Sequence, residues 1–451
     1  MSRANRRQFL QTVAVGATVS PLLLSSARAQ SGGKRKVAAI GVGGSRGRYN
    51  RGGHVANNAA KFGDMAAVCD VDDRHTEEFS KKHGGKLNKY RDYRELLDKE
   101  KPDVVTIGTP DHWHVPIAIA ALKAGCDVYC EKPLTLTIAE GIAVRKVVEE
   151  TGRVFQVGTQ QRSENDLRFL KAIALVQSGR LGSKVNAHVA IGGAPTEGPF
   201  AAEQAPSDLD WDRWVGPAPA ADYSEKRRKM FRWFFEYSGG KMTDWGAHHI
   251  DIAQWALGQS HTGPVKISGT GKFTPLVPDK FDWQGFLNGE ATLPSGFNTA
   301  TEFHIDLSFA NGSVLNVNHH FKRDDGTDFG NGILFEGENG RIFVNRGKLT
   351  GKPIDDLTEA DHKELNDRIA KLYGGKEPGN HMRNFFECMD DRSTPVSDVS
   401  SHHRTMTSCH LCNIALMLGR DLKWDPKQET FIGDDQANAL ATRRQRQEYL
   451  G

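Results

Sequence analysis

Short apolar runs recur along the first third of the chain, each separated from the next by a helix-compatible stretch. KVAAI (Lys36–Ile40) is the first, and HVANNAAKF follows it. MAAVC (Met65–Cys69), VVTI (Val104–Ile107), DVYC (Asp127–Cys130) and VFQV (Val154–Val157) come next. Helices are predicted over Pro116–Ala124, with proline near the start, and over Ile138–Thr151. This alternation predicts an α/β fold built on a doubly wound parallel sheet. The second half reads differently. β-like runs at Val185–Ile191, Val265–Ser268, Thr299–Phe303, Ser313–Val317, Ile333–Glu336 and Arg341–Val344 predict an open, mainly antiparallel sheet. Gly192–Lys229 is a long irregular insert, in which Trp211 and Trp214 either stack on a ligand or pin the loop to the core. Lys348–Lys371 reads as a polar surface excursion. Helical spacing returns at His381–Met389 and Thr405–Leu418, and Asp425–Leu450 reads as a terminal arm, one that could contact a partner subunit. The pattern divides the chain into 34–158, 159–424 and 425–451.

Residues 1–29 stand apart. NRRQFL (Asn5–Leu10), an apolar stretch from Thr12 to Leu24 and Ala27-Arg28-Ala29 form a basic start, a short apolar region and a small-residue cleavage site. The Arg6-Arg7 pair resembles the twin-arginine signal, which exports proteins already folded, so a periplasmic or other extracytoplasmic location is expected. The segment is shorter than the roughly 20 apolar residues a membrane span needs. It also carries four arginines and no acid, so removing it takes the net charge from +3 to −1. No basic surface for nucleic acid is then expected. The 422 residues left from 451 exceed the usual size of one domain. Six cysteines show no disulfide spacing, and Cys409–Cys412 is a lone CxxC.

Candidate chemistry begins where KVAAI runs into GVGGSRG. A strand, a glycine turn and a helix N-terminus make a phosphate cradle: Gly41 permits the turn, and Gly43 lets the backbone approach a pyrophosphate. Arg46 occupies the place of the third glycine, so Gly44 or Gly47 must substitute. Asp70, at the end of the second strand, stands where an acid binds the adenosine ribose and would repel a 2′-phosphate, favouring NAD over NADP. Ligands of such sheets bind beyond the carboxyl ends of the strands. The loops Gly108–His114, Glu131–Leu134 and Gly158–Arg162 should therefore face the cofactor. From them Thr109, Pro110, Asp111, His114, Glu131, Lys132 and Gln161 join Gly41, Gly43, Gly44, Arg46, Gly47 and Asp70 as candidate cofactor contacts. Lys132, in the EKP turn, could hydrogen-bond a substrate hydroxyl and stabilise its developing charge; Pro133 could fix that turn through a cis bond.

The most informative segment is Phe234–Asp251, FFEYSGGKMTDWGAHHID. Asp244 and His248 lie one helical turn apart, and Asp251 extends that face. A carboxylate beside an imidazole can move a proton near neutral pH; the plain alternative is a capped helix start with a packed histidine. His249 competes with His248 for the role, from another helix face.

The ordered set GVGG, CD, TPDHWH, EKP and GGKMTDWGAHHID resembles the Gfo/Idh/MocA oxidoreductases. The resemblance implies a Rossmann domain followed by an α/β domain with a large open sheet, a carbohydrate or polyol substrate and a homo-oligomer. It implies that Lys132 bonds the substrate hydroxyl, that Asp244 orients, that His248 is the general base, and that Asp111 lies near the nicotinamide. Outside the cytoplasm no free nicotinamide pool recycles the cofactor, so NAD is expected to stay tightly bound. Two chemistries fit: oxidation of one sugar with reduction of another carbonyl compound, or an NAD-dependent glycosidase or epimerase cycle through transient sugar oxidation. An exported sugar-binding protein without catalysis is a third reading, against which the intact Lys132, Asp244 and His248 argue. His112, His114, His248, His249, His319, His320 and Asp244 lack the arrangement of a catalytic metal set, and no metal is expected.

Overall fold

The structure, a computed structural model, describes residues 34–44 and 50–450. The export segment, Arg46 and Gly47 lie outside the described residues. The first domain is a parallel sheet of β1 (Lys36–Ile40), β2 (Asp64–Cys69), β3 (Asn88–Tyr90), β4 (Val104–Ile107), β5 (Asp127–Cys130) and β6 (Phe155–Val157), in the order β3-β2-β1-β4-β5-β6. Its helices are α1 (Arg51–Ala59), α2 (Asp73–Lys82), α3 (Tyr93–Glu100), α4 (His114–Lys123) and α5 (Ile138–Thr151). Every residue of β4 and β5 is buried, as expected of strands covered on both faces. Asp72 and Asp92 cap α2 and α3, and a Thr137–Glu140 capping box starts α5. Strand order reverses between β1 and β4, which opens a crevice at their carboxyl ends.

The second domain is a nine-stranded sheet. It contains β7 (Val185–Ala190), β8 (Lys266–Lys272), β9 (Glu302–Ser308) and β10 (Val314–Asn318). After a small hairpin of β11 (Phe321–Lys322) and β12 (Asp328–Phe329), it adds β13 (Gly332–Gly337), β14 (Gly340–Val344), β15 (Leu349–Thr350), β16 (Leu422–Asp425) and β17 (Thr430–Phe431). The order is β15-β14-β13-β7-β10-β9-β8-β16-β17, antiparallel except for β7 beside β10. Burial alternates along β9, as in a sheet with one face covered and the other in water. The covering helices are α6 (Arg168–Gln177), α7 (Gly240–Asp244), α8 (Gly246–Ala256) and, after α9 (His381–Asp391), α10 (Val399–Leu418). α9 packs instead beside Val37 and Tyr129 of the first domain.

The segment 348–371 lies largely at the surface, as expected, and it is structured. It holds β15 and a helix, Glu359–Leu372, capped by Thr358 and Asp361, with Leu365 and Ile369 buried. The boundary at 425 falls inside the β16–β17 hairpin, so the terminal arm begins later. The arm returns to its own chain: the Ala139 amide donates to Ala441 O at 3.0 Å, and the Arg446 amide to Pro217 O at 3.0 Å. The insert 192–229 is pinned by its tryptophans. Trp211 and Trp214 stack 4.7 Å apart, and Trp214 O accepts hydrogen bonds from His112 and Trp113.

Candidate active site

A crevice partly open to solvent lies across the carboxyl ends of β1, β2, β4 and β5. Gly41, Gly43, Gly44, Asp70, Thr109, Pro110, Asp111, His114, Glu131 and Lys132 line it, all sequence candidates. Gln161 is not on that wall; it is buried, with both amide atoms lacking a partner.

The glycine turn is a cradle that side chains would fill. Gly41 has φ +76°, and a Cβ there would fall 2.6 Å from Thr109 N. The close helix–strand approach assigned to Gly44 or Gly47 belongs, within the described residues, to Gly52. A Cβ on Gly52 would meet Gly41 O at 1.9 Å, and one on Gly108 would meet Gly52 Cα at 2.4 Å. α1 begins at Arg51, behind the cap that Asn50 gives the Gly53 amide at 2.7 Å. Arg51 and Gly52, at the start of α1, line the crevice, where the positive end of the helix favours an anion. These features fit a dinucleotide pyrophosphate.

At the other end of the crevice stands Lys132, beside a cis Lys132–Pro133 bond. Its Nζ donates to Asp244 Oδ1 at 2.7 Å and to Asp244 O at 2.8 Å. Arg232 Nε donates to the same carboxylate oxygen at 3.2 Å. Burial pushes the Asp244 carboxyl up, but Lys132 and Arg232 outweigh it and hold it well below the usual carboxylate range. α7 and α8 meet at Trp245, which keeps helical backbone angles, so His248 follows Asp244 by one turn. The His248 ring is buried, with Nδ1 unpartnered. Burial first, then the Lys132 charge, holds its pKa well below the ordinary 6.5. The imidazole is therefore neutral and able to accept a proton.

The neighbours tie loops together. His114 presents Nδ1 to Pro133 O at 2.6 Å and Nε2 to Thr109 O at 2.9 Å, joining the β4 loop to the EKP turn. Glu131 Oε1 accepts from Arg51 Nε at 2.8 Å and Gln160 Nε2 at 2.9 Å. Asp111 is buried and accepts from Ser238 Oγ; burial pushes its carboxyl up. His249 meets Asn331 Oδ1 at 3.1 Å, away from Lys132. His112 bonds Trp214 O and His320 bonds Asp328 at 2.7 Å, and no three metal-type ligands gather among the described residues.

Sequence reasoning missed Arg51, Gly52, His75, Arg228 and Arg232, which also line the cavity. The true start of α1 would have exposed the first two. Arg232 lies in the aromatic run MFRWFFEY, where nothing in its spacing signals a charge turned to a distant lysine's partner.

A doubly wound sheet with a glycine cradle, and a lysine at that crevice paired with a carboxylate from a second domain, points to the class of dinucleotide-binding oxidoreductases. The Gfo/Idh/MocA oxidoreductase model with an NAD-binding Rossmann fold matches residues 35–159, and its C-terminal α/β companion matches 196–272 and 318–450. The chain belongs to the Gfo/Idh/MocA family. Inositol 2-dehydrogenase of Salmonella typhimurium is 31% identical over 126 residues, 28% of this chain and 37% of that protein. A glycosyl hydrolase family 109 protein of Shewanella pealeana is 31% identical over 178 residues, 33% of this chain and 38% of that protein. The chain thus spans well under two thirds of these relatives' length. The WlbA dehydrogenase of Bordetella pertussis, solved with NADH and UDP-GlcNAcA, shares the fold: TM-score 0.58 at 16% identity, covering 87% of this chain and 99% of that one.

Proposed function

We propose that the chain is an NAD-dependent oxidoreductase acting on a hydroxyl-bearing carbon of a carbohydrate or polyol. The observation that carries this reading is the buried Lys132–Asp244 pair at the crevice, with neutral His248 one turn further on. Bound with its nicotinamide ring at this end, NAD supplies a hydride acceptor. Lys132 donates a hydrogen bond to the substrate oxygen and stabilises the negative charge that develops there. Asp244 holds the amine in place. His248 takes the hydroxyl proton as the carbon loses its hydride.

NAD is favoured over NADP. Asp70 stands at the end of β2, and Arg91, Arg94, Arg213 and Arg228 around the cavity are each ion-paired with an acid. The cofactor is held tightly in this reading because the second domain's insert crosses the adenosine end. The Asp73 amide donates to Asp208 O at 3.0 Å, the Asp210 amide to Val71 O at 2.9 Å, and Arg213 pairs with Asp92 at 2.6 Å. Export by the twin-arginine route completes the proposal, since a folded protein can leave with its cofactor. Arg6→Lys with Arg7→Lys should leave the protein in the cytoplasm on fractionation; unchanged export would refute that part.

The relative from glycosyl hydrolase family 109 favours one second reading, a redox-neutral cycle of transient oxidation, elimination or epimerisation, and return of the hydride. Mass spectrometry of the purified protein for nucleotide, followed by a sugar panel watched for reduced-nicotinamide absorbance, tests both. Lasting absorbance means net oxidation, transient absorbance the cycle. Protein that binds no nucleotide and responds to no sugar would sink the proposal.

A further inference from the structure

The adenosine end of the crevice holds a carboxylate with no acceptor capacity to spare. Asp70 Oδ2 accepts the Val42 amide at 3.0 Å and the Gly43 amide at 3.2 Å. Its Oδ1 accepts the Asp72 amide at 3.0 Å and faces His75 Nδ1 at 3.2 Å. A carboxylate offers about four lone-pair sites, and four donors already use them. An acid at this place in a Rossmann unit serves a bound dinucleotide by accepting from ribose hydroxyls. One donor must therefore leave. Three of the four are main-chain amides fixed by the glycine turn and the start of α2. Only His75 can swing away.

The same ring occupies a second place the ligand needs. A Cβ built on Gly43 would fall 1.9 Å from His75 Nδ1, so the imidazole lies against the glycine face that a pyrophosphate would approach. Its other nitrogen, Nε2, points at Asp72 Oδ2 at 3.7 Å. The charged groups facing the ring are thus Asp70 from the end of β2, Asp72 from the following turn, and Arg228 from the helix Glu225–Lys229 of the second domain. Arg228 and Arg74 are both ion-paired with Asp72. Asp72 is thus matched by two guanidinium groups, and it is the direct hydrogen bond and charge of Asp70 that favour the doubly protonated ring.

We infer that His75 is a specificity-determining placeholder for the adenosine ribose: NAD displaces its imidazolium from Asp70, and the ring gives up a proton to solvent as it leaves. The inference rests on the reading of this crevice as a dinucleotide site. Burial lowers the His75 pKa, but the hydrogen bond and charge of Asp70 outweigh it and raise it above 6.5, and losing Asp70 reverses that gain. Binding should therefore tighten as pH rises through the neutral range, by at most about tenfold per pH unit, the linkage of one proton.

Titration calorimetry of NAD into nucleotide-free protein, in buffers of different ionisation heat near pH 7, reads the proton directly. The wild type should release a fraction of one proton per NAD. His75→Gln should release none and bind with an affinity independent of pH, and His75→Ala should bind NAD more tightly than wild type at pH 6. Binding without proton release in the wild type, or with equal release in both variants, overturns the inference alone. No NAD binding in any form overturns the dinucleotide site with it.

Discussion

Two cation–carboxylate pairs use acids of the second domain that sit seven residues apart, and one of them, Lys132–Asp244, joins the domains. Arg162 and Asp251 form a bidentate pair at 2.7 and 2.6 Å, with side chains 3% and 1% exposed. The pair's own polar atoms have further partners: Thr405 Oγ1 donates to Asp251, and Arg162 reaches Val396 O and Ser401. Lys132 reaches only one oxygen of the Asp244 carboxylate, at 2.7 Å, the side chains are 10% and 14% exposed, and Arg232 shares that oxygen. The first pair is closed on itself. The second opens on the crevice, with an amine able to take another acceptor and an imidazole nearby whose Nδ1 has none. The same ionic chemistry is closed off in one place and left open to the crevice in the other, and the difference lies in how completely the neighbours satisfy it.

Substitution separates the two roles. Lys132→Ala and His248→Ala should each lower turnover by about 10²–10⁴-fold, the range of an acid–base group, while nucleotide measured by mass spectrometry stays bound. Arg162→Met or Asp251→Asn should do the opposite, costing about 3–5 kcal/mol in denaturant unfolding because the partner charge is left buried alone, with turnover per folded molecule near wild type. If Asp251→Asn abolished turnover in a stable protein, the division between the pairs would be wrong.

Acid should expose a smaller and more general effect. Burial holds His112, His402 and His410 down to about 3 and His249 and His381 to about 4, against an ordinary 6.5. The folded pKa values lie below the unfolded ones, so the unfolded chain takes up protons first. Stability from these neutral rings is complete above about pH 6.5 and is lost as pH falls toward 4 and 3. Unfolding midpoints measured from pH 8 to 4 should fall progressively; a midpoint flat across that window would contradict the burial argument.

Much of the first sheet was legible because its strands are short, mainly apolar and bounded by turns. Lys36–Ile40, Val104–Ile107, Asp127–Cys130 and helix Ile138–Thr151 stand where the pattern puts them. β3 was not read, because three polar-flanked residues, Asn-Lys-Tyr, carry no periodicity. The helix Glu359–Leu372 was hidden by its charge, since only Leu365 and Ile369 face the core. In the site, Lys132 and His248 were visible as motif residues. The partners Arg232 and His75 were not, because convergence of side chains from separate elements leaves no local trace. Lys132 and Asp244 are 112 positions apart, and no window along the chain contains both.

The central claim is that the lysine–histidine centre and a dinucleotide in the crevice work on the same carbon. Substrate deuterated at the reacting carbon, mixed with the purified protein, tests this in a single turnover through mass analysis of the bound nucleotide. The account predicts that the nicotinamide gains the label in wild type and fails to do so in Lys132→Ala and His248→Ala. Turnover of the substrate with no label ever reaching the nucleotide would contradict it.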